Sequence, residues 1–330
     1  MSNKIILTGI KPTGIMHLGN YVGAIKPLIQ LATANKNSYV FVADYHSLNQ
    51  FHDAKKLKEY TENVAATLLA FNIPSSTVFY RQSDVPEIFE LMVILASVTP
   101  KGLLNRAHAY KTIVDSNKTD PDAGVNMGLY TYPLLMAADI LLFKTNLVPV
   151  GKDQVQHLEI AKDIAEYFNR NYGEVLVKPE AYVVPDAAVI PGLDGRKMSK
   201  SYDNTIPLFG DEKQQRKLIM KIATDSKTQE EPKNPNESTM FQLYKHFGSE
   251  QETEELKQLY ANGGMGYGVA KQKLFEVVQR ELQEPKKRFE KILSNPETYL
   301  YPILECGAKQ ARKQAVETLN EVKRAIGVKC

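Results

Sequence analysis

An apolar run, Ile5-Ile6-Leu7, leads directly into Pro12-Thr13-Gly14-Ile15-Met16-His17-Leu18-Gly19-Asn20, and a helix-like stretch, Tyr21–Ala34, follows. A strand that ends in a glycine-bearing turn and opens a helix lets the backbone approach an anion closely. The helix start adds oriented N–H donors. The same strand-then-helix order recurs. Strand-like runs are Lys4–Leu7, Tyr39–Ala43, Thr77–Tyr80 and Leu147–Val150, and helix-like runs are Tyr21–Ala34, Ala54–Phe71, Ile88–Ser97 and Asp153–Asn171. In the last of these, Val155, Leu158, Ala161, Ala165 and Phe168 recur at helical spacing. Such alternation predicts a parallel, doubly wound sheet with right-handed crossovers. Ligands bind such sheets beyond the carboxyl ends of the strands. Thr8–Asn20, Asp44–His46 and Gly151–Gln154 should therefore line one crevice.

The strands stop between about residues 86 and 139, where helices take over as an insertion. Beyond a loop at about 192–205 the pattern is almost wholly helical: Glu212–Thr224, Met240–His246, Gln251–Tyr260, Val269–Leu282, Lys287–Leu293 and Ala308–Ile326, broken by Pro207 and by the run from Glu231 to Asn236. The expected fold is α/β, a Rossmann-like domain over residues 1–205 carrying the helical insertion, followed by a second, all-helical domain over 206–330. The last helix is basic and either meets phosphates or covers the first domain with its apolar side. Gly263-Gly264-Met265-Gly266 has no strand before it and reads as a helix–helix turn.

Composition excludes several classes. The chain has 330 residues, 43% of them hydrophobic and 24% charged, the balance of a soluble globular protein. Its two cysteines, Cys306 and Cys330, form no disulfide framework and lack metal-ligand spacing. The N-terminus has no secretory pattern, so the cytoplasm is expected. The most apolar stretch, Tyr132 to Phe143, is too short to span a bilayer and carries Asp139. The net charge of +3 is permissive of a nucleic-acid partner and no more.

A second motif, Lys197-Met198-Ser199-Lys200-Ser201, lies on a Gly-bearing loop. Alone it is a basic surface loop. Paired with the N-terminal turn, its two lysines make a clamp for phosphate oxygens, with Ser199 as a hydroxyl donor. The two motifs resemble the HIGH and KMSKS signatures of the class I aminoacyl-tRNA synthetases, with Asn20 in place of the second histidine. The runs Tyr132-Pro-Leu-Leu-Met136-Ala-Ala-Asp139 and Leu147-Val-Pro-Val-Gly151-Lys-Asp153-Gln154-Val-Gln-His157 resemble the bacterial tryptophanyl branch of that family. Shorter echoes run through Asp44-Tyr-His46, Ala223-Thr-Asp-Ser226 and Gly266-Tyr-Gly268, so the resemblance covers most of the chain. Lys11-Pro12-Thr13-Gly14 departs from the bacterial wording, as does the stretch from Pro185 to Gly192.

The resemblance implies amino-acid activation by ATP, with Mg2+ bound to the nucleotide, and transfer to a tRNA by a homodimer. It implies no membrane or DNA partner. The carboxylate substrate is already nucleophilic, so the protein must position reactants and neutralise charge. The resemblance gives Lys197, Lys200, Ser199, Lys111, His17 and Asn20 to catalysis, although His17 also reads as a turn residue and Lys111 as a solvated helix lysine. It gives Lys11, Pro12, Thr13, Gly19, Asn20, Gly151, Lys152, Asp153, Val189 and the run Lys197 to Ser201 to ATP. Asp153 reads either as a helix cap or as a ribose acceptor.

Asp139 sits among apolar neighbours, where an anion is costly unless paired. Indole offers one N–H donor and no acceptor. Asp139 thus reads either as the acceptor of that N–H or as a structural carboxylate. The resemblance favours the first, with Met136 beside the ring and Tyr132, Gln154, His46, Val148 and Val150 completing an L-tryptophan pocket. No metal-ligand set is expected. The nearest alternative is a tyrosyl-tRNA synthetase, or another class I adenylate-forming enzyme. A non-enzymatic RNA-binding relative should have lost a lysine or glycine of the two motifs, and neither loss is seen.

Overall fold

The computed structural model describes residues 4–117, 119–151, 154–183 and 190–329. Its centre is a five-stranded parallel sheet of order β3-β2-β1-β4-β5. The strands are β1 Ile6–Ile10, β2 Ser38–Val42, β3 Val78–Arg81, β4 Leu147–Val150 and β5 Glu180–Val183. The chain winds outward from β1 to β3, then returns across the sheet to place β4 on the other side of β1. That reversal opens a crevice at the carboxyl ends of β1 and β4.

The sequence reading took β4 as the last strand. In fact β5 pairs beyond it, from Leu147↔Glu180 to Val150↔Val183. Its residues are half-buried or exposed. An edge strand of four residues carries no alternation strong enough to read. β1 runs further toward the crevice than expected, to Ile10, because it pairs along its whole length with β2.

After β1 come α1 (Leu18–Asn20), a π-helical turn (Tyr21–Ile25) and α2 (Lys26–Ala34). β2 leads into α3 (Asp44–Ser47) and α4 (Ala54–Ala70). The segment between β3 and β4 holds α5 (Glu87–Val98), α6 (Lys101–Leu104), α7 (His108–Ser116) and α8 (Met127–Leu141). α9 (Val155–Tyr172) joins β4 to β5. Beyond residue 206 lie α10 (Glu212–Met220), α11 (Thr239–Tyr244), α12 (Glu250–Asn262), α13 (Tyr267–Ser294), α14 (Pro296–Tyr299) and α15 (Tyr301–Ala325).

Two helices expected around Pro285 are one. Proline lacks the N–H for the ladder and costs about 3 kcal/mol or more inside a helix. α13 nevertheless continues across it, with Pro285 buried and the helix packed along α4. Here tertiary burial overrides local preference.

Side chains alternate across the sheet. Val40 and Val42 join an apolar cluster with Leu18, Ile25, Leu208, Met240 and Leu274. Phe41 and Leu7 join the opposite cluster with Leu91, Leu134, Leu141, Ile164 and Phe168. The first cluster runs unbroken from the β1 turn into the helices after 206.

α15 covers the open edge of the sheet beside β3. Its apolar side, with Ala308, Ala311, Ala315, Leu319 and Val322, is buried. Arg312 forks onto Glu87 at 2.8 and 2.9 Å, and Lys323 and Glu321 pair with Glu90 and Lys144. Arg312, although exposed, and the half-buried Lys323 are thus engaged in ion pairs within the chain, while Lys309, Lys313 and Arg324 are exposed.

Gly307 lets α15 approach, because a Cβ there would stand 1.8 Å from the Phe79 carbonyl oxygen. Gly307→Ala should therefore lower stability by about 1–3 kcal/mol, read from urea unfolding midpoints. Gly268→Ala, with open space around its added Cβ, serves as the control and should lose none. Equal midpoints for the two variants would contradict this packing.

Candidate active site

The turn after β1 is held by local hydrogen bonds that fix the chemistry of His17. His17 caps the following helix: its Nδ1 accepts from the Asn20 N–H at 3.2 Å, and the Asn20 side-chain oxygen accepts from the His17 N–H at 3.1 Å. This reciprocal box satisfies otherwise orphaned backbone donors. It also fixes the tautomer: with Nδ1 accepting, the ring proton of the neutral imidazole sits on Nε2. Burial, with the Lys200 charge assisting, lowers the His17 pKa to about 4. His17 is thus a neutral Nε2–H donor near pH 7. The resemblance gives Asn20 to catalysis with His17; here its side-chain oxygen accepts within the cap.

Gly14 adopts φ +123°, a region few side chains reach. Its missing Cβ leaves room for the Lys200 ammonium, which donates to the Thr13 carbonyl at 3.2 Å. The second motif is therefore docked on the first. Main-chain pairing reinforces this: the Leu18 N–H donates to the Ile206 carbonyl, and the Leu208 N–H to the Met16 carbonyl, both at 2.9 Å. Met198 is buried, and its sulfur accepts from the Gly19 N–H at 3.2 Å. Lys197 is exposed, and Ser199 Oγ lies 2.8 Å from Ser201 Oγ.

Asn204 pins the loop from beneath. Its side-chain oxygen accepts from the Ser199 N–H at 2.8 Å, and its amide donates to Asp194 at 2.7 Å and to the Lys197 carbonyl at 3.1 Å. The sequence reading missed Asn204, since one buried asparagine in a polar loop leaves no pattern.

At the carboxyl ends of β1 and β4 lies a cleft of about 1020 Å³. It is lined by Lys11, Gly151, His46, Tyr132, Met136, Asp139, Val148, Val150 and Gln154, among others. One crevice thus brings together all seven residues expected for the amino acid. Burial lowers the Lys11 pKa. The Tyr132 hydroxyl sits 3.0 Å from His157 Nδ1, and burial raises its pKa to about 12. Lys111, on α7, is exposed and does not line the cleft. Lys152, Asp153 and Val189 lie outside the described residues.

Asp139 is 1% exposed. Both of its oxygens accept from the Gln82 amide at 2.9 Å, and Oδ2 also meets His46 Nε2 at 2.9 Å. Burial raises its pKa, opposed by His46 and Gln82. The sequence reading does not single out Gln82, and it names His157 only within the run that carries the resemblance, without a place in the cleft. Gln82 stands just past the end of β3, so the strand-end rule applied there would have found it.

Among the described residues no group of three acidic, histidine or cysteine side chains is placed to hold a metal ion. No helix among them is long and apolar enough to cross a membrane.

The family model described as tRNA synthetases class I (W and Y) matches residues 2–283. A tryptophan–tRNA ligase of Neisseria meningitidis is 47% identical over 335 aligned positions, covering 100% of this chain and 99% of its own. That of Pseudomonas aeruginosa is also 47% identical, over 98% of this chain and 74% of its own. The crystal structure of Campylobacter jejuni tryptophanyl-tRNA synthetase, complexed with ADP and tryptophan, superposes with a TM-score of 0.90 at 43% identity, covering 98% and 99% of the two chains.

His17 provides a pH test. Its pKa of about 4 in the folded chain lies below the ordinary histidine value of 6.5, so between these values the unfolded chain binds more protons. The stability it contributes is complete above about pH 6.5 and is lost as pH falls toward about 4. His17→Asn keeps a capping side chain without a titrating ring. Unfolding midpoints of the variant should fall less than wild type across that window; parallel curves would contradict a buried neutral His17.

Proposed function

The chain belongs to the class I tRNA synthetases, in their bacterial tryptophanyl branch, and from that premise we propose how its cleft performs the reaction. L-tryptophan enters with its indole toward Asp139 and its carboxylate toward the β1 turn. A carboxylate oxygen attacks the α-phosphorus of ATP, the bond to the bridging oxygen breaks, and pyrophosphate leaves with the electron pair. The product is tryptophanyl-adenylate. A hydroxyl at the 3′ end of tRNA(Trp) then attacks the activated carbonyl, forming the ester and releasing AMP.

The observation that carries this reading is Asp139: a carboxyl group buried at the apolar base of the cleft, beside Met136, Val148 and Val150. The thioether of Met136 suits an aromatic ring. A phosphate site opens at the other end, where His17 offers its Nε2–H. Lys200 exchanges the Thr13 carbonyl for phosphate oxygens, and Lys197 joins it from the exposed side of the loop. Mg2+ arrives with the ATP phosphates as part of the substrate.

The remaining assignments follow the family. Residues 1–205 are the catalytic part and 206–330 the part that takes the tRNA anticodon, although the two share one apolar cluster. The exposed Lys309, Lys313 and Arg324 are left for phosphate contacts. The protein acts as a homodimer in the cytoplasm.

Leaving-group charge grows in the transition state, so the loop lysines act there rather than on the bound amino acid. Lys200→Ala or Lys197→Ala should slow adenylate formation about 10²-fold or more with the tryptophan Kd little changed. Weakened tryptophan binding at unchanged kcat would reject the assignment.

Asp139→Ala should reduce kcat/KM for tryptophan by the equivalent of about 1.5–3 kcal/mol, the worth of a hydrogen bond to a charged group. It should also narrow the preference for tryptophan over 1-methyltryptophan, which has no N–H. Wild-type enzyme using both substrates equally in pyrophosphate exchange would show that Asp139 does not read that atom.

A further inference from the structure

Gln82 occupies the 3-10 turn that follows β3 and is fully buried. It is absent from the cleft lining and stands behind Asp139. Its amide orientation is constrained from two sides. Nε2 lies 2.9 Å from both Asp139 oxygens, and Oε1 accepts, at 3.4 Å, from the main-chain N–H of His46. Turned over, the amide would set its oxygen against a carboxylate and its NH2 against an N–H donor.

The two strand-end turns that carry Gln82 and His46 are themselves tied. The Ser83 N–H and hydroxyl both donate to Asp44, at 3.1 and 2.5 Å, and Arg81 holds Asp84 at 2.8 Å. A carboxylate offers about four acceptor directions. Gln82 takes one on each oxygen, and His46 takes a second on Oδ2. The remaining direction is on Oδ1.

We propose that Gln82 is a positioning residue for substrate selection: it fixes the Asp139 carboxylate and keeps it anionic, so that Oδ1 alone is left to accept the substrate N–H. This rests on reading Asp139 as the indole acceptor. Among the described residues, His46 contacts Asp139 directly and Tyr80 feels its charge, Asp44 ties the turn of His46 to that of Gln82, and Tyr132 and His157 line the same cleft from α8 and α9. The Tyr80 hydroxyl is buried without a partner among the described residues.

The test is Gln82→Met, of similar length but unable to donate, assayed by pyrophosphate exchange across about pH 5 to 8. The expected result is a KM for tryptophan raised about tenfold with kcat changed little, and a smaller preference over 1-methyltryptophan. The donors favour the anion, so their loss lets Asp139 protonate at higher pH. The acid-side fall of kcat/KM should therefore begin at higher pH than in wild type, which a mere space-filler would not cause. Gln82→Glu gives a second readout should the Met variant not fold. Its protonated carboxyl still donates, and its ionisation sets two anions together, so activity should be lost as pH rises. Wild-type KM, acid limb and analogue preference in Gln82→Met, or a wild-type pH profile in Gln82→Glu, would overturn the proposal. Asp139→Ala separates the two levels. If it loses analogue preference while Gln82→Met keeps it, only the role of Gln82 fails. If it keeps that preference, the reading of Asp139 fails first.

Discussion

A carboxylate sealed in an apolar interior costs several kcal/mol unless its oxygens are taken up by donors. One side of the cleft is arranged to meet that cost for Asp139. α8 delivers the carboxylate, the turn after β2 delivers His46, and the turn after β3 delivers Gln82. Strand ends can meet there because β2 and β3 pair in register up to Val42↔Arg81, which brings the two following turns together. Asp44 then ties the turns through Ser83. Among the described residues these bonds leave one acceptor direction of the carboxylate, on Oδ1, without a donor.

The end of the site proposed for phosphate is held by contact between two loops distant in sequence. Met198, Lys200 and the strand-like pairing of Ile206 to Leu208 bring the second motif onto the turn of His17. Neutral His17 matters here. A protonated ring would stand beside Lys200 and give up Nδ1 as an acceptor for the cap. Burial removes that option near neutral pH and leaves a donor of fixed direction. The contact of Lys200 with the Thr13 carbonyl is an exchangeable one, since an ammonium can trade a neutral carbonyl for phosphate oxygens at a gain.

How much of this was legible in the sequence varies with the physics involved. The sheet class was readable because four of its five strands carry apolar runs followed by helical periodicity; β5 carries neither. The two motifs were readable because glycines and lysines at those spacings have few structural reasons to coincide. Asp139 stood out as one charge in an apolar run. Its partners did not, since Gln82 is an uncharged residue in a polar stretch and its meaning lies in a contact across 57 positions. Asn204 was hidden for the same reason. Pro285 misled, because local preference argued for a break that packing against α4 overrides. The cap formed by His17 and Asn20 was within reach of the sequence, since polar side chains three apart at a helix start are the pattern of a reciprocal cap.

The central claim is that the cleft activates tryptophan by reading its indole N–H. The most direct measurement is ATP–pyrophosphate exchange by the purified protein with each of the standard amino acids in turn. The account predicts exchange with tryptophan, with tyrosine and phenylalanine lower by about 10⁴-fold or more, as expected where a buried acceptor would be left unpaired. Exchange driven best by tyrosine, or by no amino acid at all, would contradict it.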